Sequence, residues 1–288
     1  MASVTAIILT RNEEKNLGDC LDSLRDFAER CVVVDCFSSD RTVEIAREKG
    51  ADVLFHEFSY YAAQFNWAID NAGIDTDWIL RIDADERLTP ALIKETQAAI
   101  ASPEAVQGDL NGIVMEADYI FLNRTIKYGL HKKRRVMLFK TGIGRIEDRR
   151  RDAHSVISHG TTRAMKNRFI HKDFKDLDSY IRRYNWYATR EMQDWLDFKN
   201  GASQEINAGA EIARNRKNKF GIYYRAPRFF RAWLWFLYNY IFRLGFLDGR
   251  EGFLYLYFEC YWYRMLVDAK IFEQQVMQLP LEELKALD

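Results

Sequence analysis

Along the first 120 residues, short β-branched or aliphatic runs alternate with segments whose apolar positions recur every three or four residues. The apolar runs predict strands at Val4–Leu9, Val32–Val34, Val53–Phe55 and Trp78–Ile82. Between them, helices are predicted over Leu17–Ala28, Thr42–Lys49 and Tyr61–Asn71, with another beginning at Pro90. Leu17, Leu21, Leu24 and Ala28 fall on one helical face, Gly50 stops the second helix, and Pro90 suits a first helical turn. Alternating strands and helices predict an α/β domain with a Rossmann-like, mostly parallel sheet and right-handed crossovers. From about residue 124 the pattern changes: Asp176–Phe198 reads as an amphipathic helix and Leu281–Leu287 as a short terminal one.

Ligands of such sheets bind at the carboxyl ends of the strands, and polar clusters follow three of the predicted strands. The first is Thr10-Arg11-Asn12-Glu13-Glu14, whose plainer reading is a capping box for the next helix. The second runs from Asp35 to Thr42; Asp35 can accept hydrogen bonds from a base or ribose, while Ser38, Ser39 and Asp40 can cap the following helix. The third is Asp83-Ala84-Asp85-Glu86. Carboxylates two positions apart on extended chain can be aimed into one site, where they suit Mg²⁺ or Mn²⁺ with positions left for phosphate oxygens. A solvated acidic turn is the bland alternative, and the apolar strand leading into it argues against that.

In this order the three clusters resemble the inverting glycosyltransferases of family 2, with the GT-A nucleotide-diphospho-sugar transferase fold. The family's T-x-N-E-E pattern corresponds to Thr10–Glu14, V-D-S-x-S-x-D-x-T to Val34–Thr42 with Cys36 replacing a serine, and D-A-D-E to Asp83–Glu86. Looser likeness in Phe169–Arg190 and Gly245–Gly249 is to the branch of lipopolysaccharide-core β-glucosyltransferases and capsule or colanic-acid sugar transferases. The resemblance implies that Thr10, Arg11, Asn12, Glu13, Asp35, Ser38, Asp83 and Ala84 line the site of a UDP- or GDP-sugar. It implies Asp85, together with Asp83, as holder of the metal on the diphosphate. Before the Asn of the third helix, here Asn66, the family often carries a basic residue; Phe65 stands there in this chain, Gln64 is the substitute for the base-clamping contact, and the resemblance implies Gln64 and Asn66 at the nucleotide-sugar site. His171 sits where such enzymes often have a late metal or diphosphate ligand.

The reaction also needs a base for the acceptor hydroxyl. The resemblance puts a carboxylate after the basic loop. Asp152, two positions before His154, fits best, and Asp148 and Glu147 are the alternatives. The Lys132-Lys133-Arg134-Arg135 run can attract a diphosphate or a phosphorylated acceptor, or be a solvated loop. Two other classes compete: a haloacid-dehalogenase-type phosphotransferase, whose nucleophilic Asp normally ends the first strand, and a non-enzymatic membrane or polyanion adaptor. A dinucleotide oxidoreductase lacks its G-x-G-x-x-G here.

Charge sharpens the division of the chain. Lys and Arg number 42 and Asp and Glu 42, for a net charge of +0. Residues 1–123, however, hold 23 acidic and 10 basic side chains, leaving 19 and 32 for residues 124–288. The acidic part fits a metal–nucleoside half (1–123) and the basic part an acceptor half (124–210), the two making a catalytic domain over 1–210. A helical, aromatic C-terminal extension covers 211–288: of the chain's 41 Phe, Trp and Tyr, 18 lie between Tyr223 and Tyr263. Seven basic residues and no acid between Ile212 and Arg231 lead into it. Its longest uncharged run, Ala232–Phe242, is too short to span a bilayer, so residues 211–263 are expected to meet a membrane surface in its plane, or to pack on the core or on a second copy in a homo-oligomer. No nucleic-acid partner is expected. Cys20, Cys31, Cys36 and Cys260 form no CxxC pair, and no signal peptide is apparent. The expected location is the cytoplasm, peripheral on the inner face of the cell membrane, where a glycan or glycolipid acceptor would be met.

Overall fold

The structure is a computed structural model that describes residues 2–130, 134–148, 154–173, 176–199 and 223–278. Asp152, Lys132, Lys133, the basic residues from Arg214 to Lys219 and the predicted helix Leu281–Leu287 lie outside the described residues. By compactness the chain divides into one unit of Met1–Ile120 with Lys132–Asp173 and another of Phe121–His131 with Phe174–Asp288.

In the first unit the predicted alternation is realised. Strands β1 (Val4–Thr10), β2 (Arg30–Asp35), β3 (Asp52–Phe55) and β4 (Trp78–Arg81) pair in parallel in the order β3-β2-β1-β4. Helices α1 (Leu17–Leu24), α2 (Thr42–Glu48), α3 (Tyr61–Asn71), α4 (Pro90–Ile100) and the short α5 (Pro103–Gln107) connect or follow them. Gly50, at φ 77°, takes the left-handed conformation that ends α2, and the Thr89 hydroxyl accepts the Leu92 N–H to cap α4 ahead of Pro90. Beyond β4 the sheet is mixed, a feature the apolar pattern did not carry. β5 (Glu86–Arg87), β6 (Leu110–Phe121), β8 (Arg134–Lys140) and β11 (Thr161–His171) extend it as β4-β8-β6-β11-β5. β8 is antiparallel to both neighbours, β11 parallel to β6 and antiparallel to β5. The short strands β9 (Gly144–Ile146) and β10 (Ser155–Ile157) form a separate antiparallel pair.

Both faces of the inner parallel strands β1, β2 and β4 are buried, which is why their central residues are apolar rather than alternating, while the edge strand β3 is only partly covered. On one face Ala6, Ile8, Val33, Trp78 and Leu80 pack with Leu17, Leu21 and Leu24 of α1 and Leu92 of α4. On the other, Ile7, Val32, Val34 and Ile79 meet Ala62, Phe65 and Ala68 of α3. Each fully buried aliphatic side chain stabilises the fold by about 1.5–3 kcal/mol before entropy is counted.

The second unit is helical among its described residues, apart from β7 (Arg124–Ile126). The predicted amphipathic helix is α6 (Leu177–Lys199), whose Ala188 and Met192 pack with Val267 and Ile271 of helix Tyr263–Met277. Glu191 of α6 is buried and accepts from Tyr224 (2.7 Å), Tyr263 (2.6 Å) and Arg264 (2.6 Å). Helices Phe230–Leu237 and Gly249–Leu256 each run into a π-helical stretch, Tyr238–Phe242 and Tyr257–Trp262.

Candidate active site

The three polar clusters stand together because β1, β2 and β4 are neighbours with their carboxyl ends on one side. The first two are laced directly. Asp35 is fully buried and accepts from the Thr10 hydroxyl (2.8 Å), the Ser38 hydroxyl (2.6 Å) and the Ser38 N–H (2.7 Å). The Asn12 N–H donates to Ser38 Oγ (2.8 Å), the Glu13 N–H to Thr42 Oγ1 (2.7 Å), and the Ser39 N–H to Asn12 Oδ1 (2.9 Å). Asn12 and Phe37 hold left-handed backbone (φ 55° and 54°), a strain the surrounding bonds enforce. The plainer capping-box reading of the first cluster is not what forms. Asn16 is the N-cap of α1 and makes no side-chain cap, while the Glu13 carbonyl accepts the Asn16 and Leu17 N–H groups (both 2.9 Å). Asp40 does serve the start of α2, accepting the Thr42 N–H at 3.0 Å.

The third cluster gathers partners from far along the chain. Asp83 Oδ1 accepts from Tyr61 OH (2.9 Å), and Asp83 Oδ2 lies 3.3 Å from Arg135. Arg81 donates to the Tyr61 oxygen (2.9 Å) and to Ser155 Oγ (3.2 Å), with its guanidinium 4.5 Å from the Tyr61 ring centre. Glu86 is buried, accepts the Asp83 N–H (3.0 Å) and is ion-paired with Arg135. Antiparallel pairing of β5 with β11 sets His171 opposite Glu86, and His171 Nδ1 is 3.3 Å from Glu86 Oε1. His171 Nε2 is then 3.9 Å from Asp85 Oδ2 and 3.8 Å from Asp173 Oδ2. One ligand atom each from Asp85, Glu86 and His171 lies within 4.8 Å of the others.

Electrostatics separates the two aspartates. Burial alone would raise the Asp83 carboxyl, but Arg135, Arg81 and the Tyr61 hydroxyl overcome it and hold it below the usual carboxylate range. Burial, with Asp173, Asp83 and Glu86 nearby, pushes Asp85 well above that range despite His171. For His171 burial works downward, yet Asp85, Asp173 and Glu86 raise it well above its ordinary value. Four carboxylates here face two guanidinium groups and one imidazole, and Asp85 Oδ1 is shielded from solvent with no hydrogen-bond partner among the described residues. A shielded carboxylate oxygen without a donor, in a surplus of negative charge, beside an imidazole, fits a divalent metal ion.

The other candidates are placed as follows. Ala84 is buried in the core, Arg11 is half-buried, and Lys132 and Lys133 are outside the described residues, whereas Arg135 of the same run reaches Asp83 and Glu86. Gln64 is buried and bound to His56 through its Oε1 (2.6 Å to Nδ1) and its amide (3.1 Å to the carbonyl). Asn66 clamps the main chain of Ile146 with both amide atoms (2.8 and 3.0 Å). Asp148 is exposed and accepts from Tyr60 OH (2.6 Å), and the Glu147 N–H donates to the His154 carbonyl (2.8 Å). Tyr61, Arg81, Ser155 and Asp173 were missed from the sequence. Only Arg81 left a signal, as a cation inside the apolar run Trp78–Ile82 that must find partners when buried.

The sequence profile described as "Glycosyl transferase family 2" matches residues 5–174, which contains both motif loops, Asp83–Glu86 and His171. The chain belongs to glycosyl transferase family 2. As a member of that family it is similar over nearly its whole length to the lipopolysaccharide core biosynthesis glycosyltransferase LpsC of Rhizobium meliloti, at 24% identity over 284 residues, 96% of this chain and 94% of that one. An uncharacterized glycosyltransferase of Rickettsia felis is 35% identical over 102 residues, 35% of each chain, so this alignment spans about a third of that relative's length. Among solved structures, glucosyl-3-phosphoglycerate synthase from Mycobacterium tuberculosis, in complex with Mn²⁺, UDP and glucosyl-3-phosphoglycerate, overlaps 41% of this glycosyltransferase and 44% of its own chain, with 17% identity and a TM-score of 0.32. Family membership sets aside the phosphotransferase alternative. No helix among the described residues is long and apolar enough to cross a membrane.

Proposed function

We propose that this family 2 member is a metal-dependent, inverting transferase that moves a sugar from a UDP- or GDP-sugar to a hydroxyl of a lipid-linked, lipopolysaccharide- or capsule-type glycan. The observation that carries this reading is the unsatisfied Asp85 Oδ1 in a carboxylate-rich cluster at the end of β4, beside the two motif loops. Mg²⁺ or Mn²⁺ would be held by Asp85 and His171, with Asp83 and Glu86 alongside, and would supply charge neutralisation for the departing nucleoside diphosphate. The laced Thr10–Glu13 and Asp35–Ser38 loops form the nucleoside side, with Gln64 and Asn66 fixing the position of α3. Arg135 orients Asp83 and Glu86 by ion pairing. The base, Asp152 with Asp148 and Glu147 as alternatives, accepts the acceptor hydroxyl proton as that oxygen attacks the anomeric carbon from the face opposite the diphosphate. Inversion follows, giving a β-linkage from an α-linked donor.

Support for the acceptor class comes from the near full-length similarity to a protein named for lipopolysaccharide core biosynthesis. A cytoplasmic enzyme seated on the inner membrane surface through residues 211–263 would meet such an acceptor. The catalytic region is taken as 1–210, with the basic-aromatic remainder as its extension. The test is a thermal-shift panel of UDP-, GDP-, CMP- and dTDP-sugars with and without Mn²⁺. One nucleotide should stabilise the protein in a metal-dependent way; stabilisation by none of them, with or without metal, overturns the reading.

A further inference from the structure

The helical segment Phe230–Phe242 is amphipathic in the wrong sense for a helix facing water. Its inward positions are polar or small: Arg231, Ala232 and Asn239 are buried. Arg231 forms a buried ion pair with Asp268, whose Oδ2 also accepts the Phe229 N–H at 2.8 Å, and Asn239 donates to the Trp235 carbonyl at 2.8 Å. Its outward positions are apolar: Phe230, Trp233, Leu234, Tyr238, Ile241 and Phe242 are all exposed, Phe242 to 76%. These recur at helical spacing and make one continuous stripe. The turn after it adds exposed Phe246 and Leu247, and exposed Phe253 of the next helix packs on Phe236 and Tyr240 at 5.9 and 5.6 Å between ring centres. The turn itself is pinned: Asp248 accepts the Lys127 and Tyr128 N–H groups (2.9 and 2.8 Å), and the Gly129 N–H donates to the Arg243 carbonyl (3.0 Å).

The stretch of chain that carries this apolar face is richer in arginine than in acids. Between Tyr223 and Tyr263 the chain has five arginines and three acids. Each acid is engaged elsewhere: Asp248 as described, Glu251 with Arg124 at 3.3 Å, and Glu259 with the hydroxyls of Tyr180 and Tyr184. Of the arginines, Arg231 is held by Asp268, Arg243 by the Gly129 carbonyl and Arg228 by Gln275, which leaves Arg225 and Arg250 exposed. A second copy docking by two-fold symmetry would offer the exposed Arg225 and Arg250 no acid from the same stretch, since its three acids are already engaged. An anionic bilayer instead accepts the apolar side chains among its acyl chains, Trp and Tyr at headgroup depth, and the arginines at its phosphates.

Deepening the membrane contact proposed above, we infer that the Phe230–Phe242 stripe and the Phe246–Leu247 turn are an in-plane seat for an anionic lipid surface. The experiment is co-sedimentation of the full-length protein with phosphatidylcholine vesicles, with or without phosphatidylglycerol, beside a Trp233→Ser/Ile241→Ser/Phe242→Ser variant. The wild type should sediment with the anionic vesicles only, and the variant should lose at least about tenfold in vesicle affinity. The altered positions are all exposed, so circular dichroism and the thermal-shift response to nucleotide-sugar should be unchanged. Equal binding by wild type and variant, or equal binding to neutral vesicles, overturns the inference. So does wild type that ignores vesicles but forms a concentration-dependent dimer, lost in the variant, in analytical ultracentrifugation. A null thermal-shift panel with intact vesicle binding would sink the sugar-transfer reading and leave the lipid seat standing.

Discussion

Asp35 and Asp85 show how two carboxylates of similar sequence context do different work. Asp35, at the end of β2, has every bond supplied by Thr10 and Ser38, and so holds the first two loops together. Asp35→Ala would leave the buried Thr10 hydroxyl and the half-buried Ser38 hydroxyl and amide donors unpaired. We expect it to cost about 2–4 kcal/mol, read as a lower urea midpoint with unchanged slope. Asp85 lacks that satisfaction at Oδ1, so Asp85→Asn should leave the urea midpoint nearly unchanged. Sugar transfer should nonetheless fall by at least about a hundredfold, measured as release of nucleoside diphosphate. Near-native transfer by that variant would sink the metal assignment. A further contrast is the Arg231–Asp268 pair, almost wholly buried. Asp268→Ala strands a buried guanidinium and should cost about 3–5 kcal/mol, whereas replacing both partners with Met and Leu should be far milder in the same denaturation assay.

At the scale of elements, backbone register decides what the site contains. The pairing of β5 with β11 puts His171 opposite Glu86, and the strand passing between β4 and β6 brings Arg135 to Asp83 and Glu86. The turn linking the C-terminal helices is equally constrained. A Cβ at Gly245 would fall against Leu256 and 2.9 Å from the Asn239 carbonyl oxygen. Gly245→Ala should therefore destabilise by about 1–3 kcal/mol in urea denaturation and should weaken vesicle binding by disturbing Phe246 and Leu247.

For the whole molecule, neutrality conceals segregation: the surplus of acids before residue 124 includes Asp83, Asp85 and Glu86, and the surplus of bases after it leads into the aromatic face. Two separable ligand responses are expected. Mn²⁺ at about a hundred times its dissociation constant should add about 2.7 kcal/mol of stability, seen as a raised Tm that EDTA reverses and Asp85→Asn abolishes. Vesicle binding should instead weaken as salt rises, because the arginine–lipid attraction is screened, and should be indifferent to EDTA.

The sequence by itself determined the parallel strands β1 to β4, the helices between them and the three polar strand ends, because these depend on local periodicity, caps and glycine stops that neighbouring residues set. It also revealed the family, since the motif order is linear. Only the tertiary structure decided that His171, Asp173, Arg135, Tyr61 and Arg81 converge on Asp83–Glu86, and that the aromatic stripe faces outward while Arg231 faces in. Those outcomes rest on pairings such as Glu86 with His171, 85 residues apart. Their register is set by how distant side chains pack and by which buried charges find partners, and no short window of sequence contains that information.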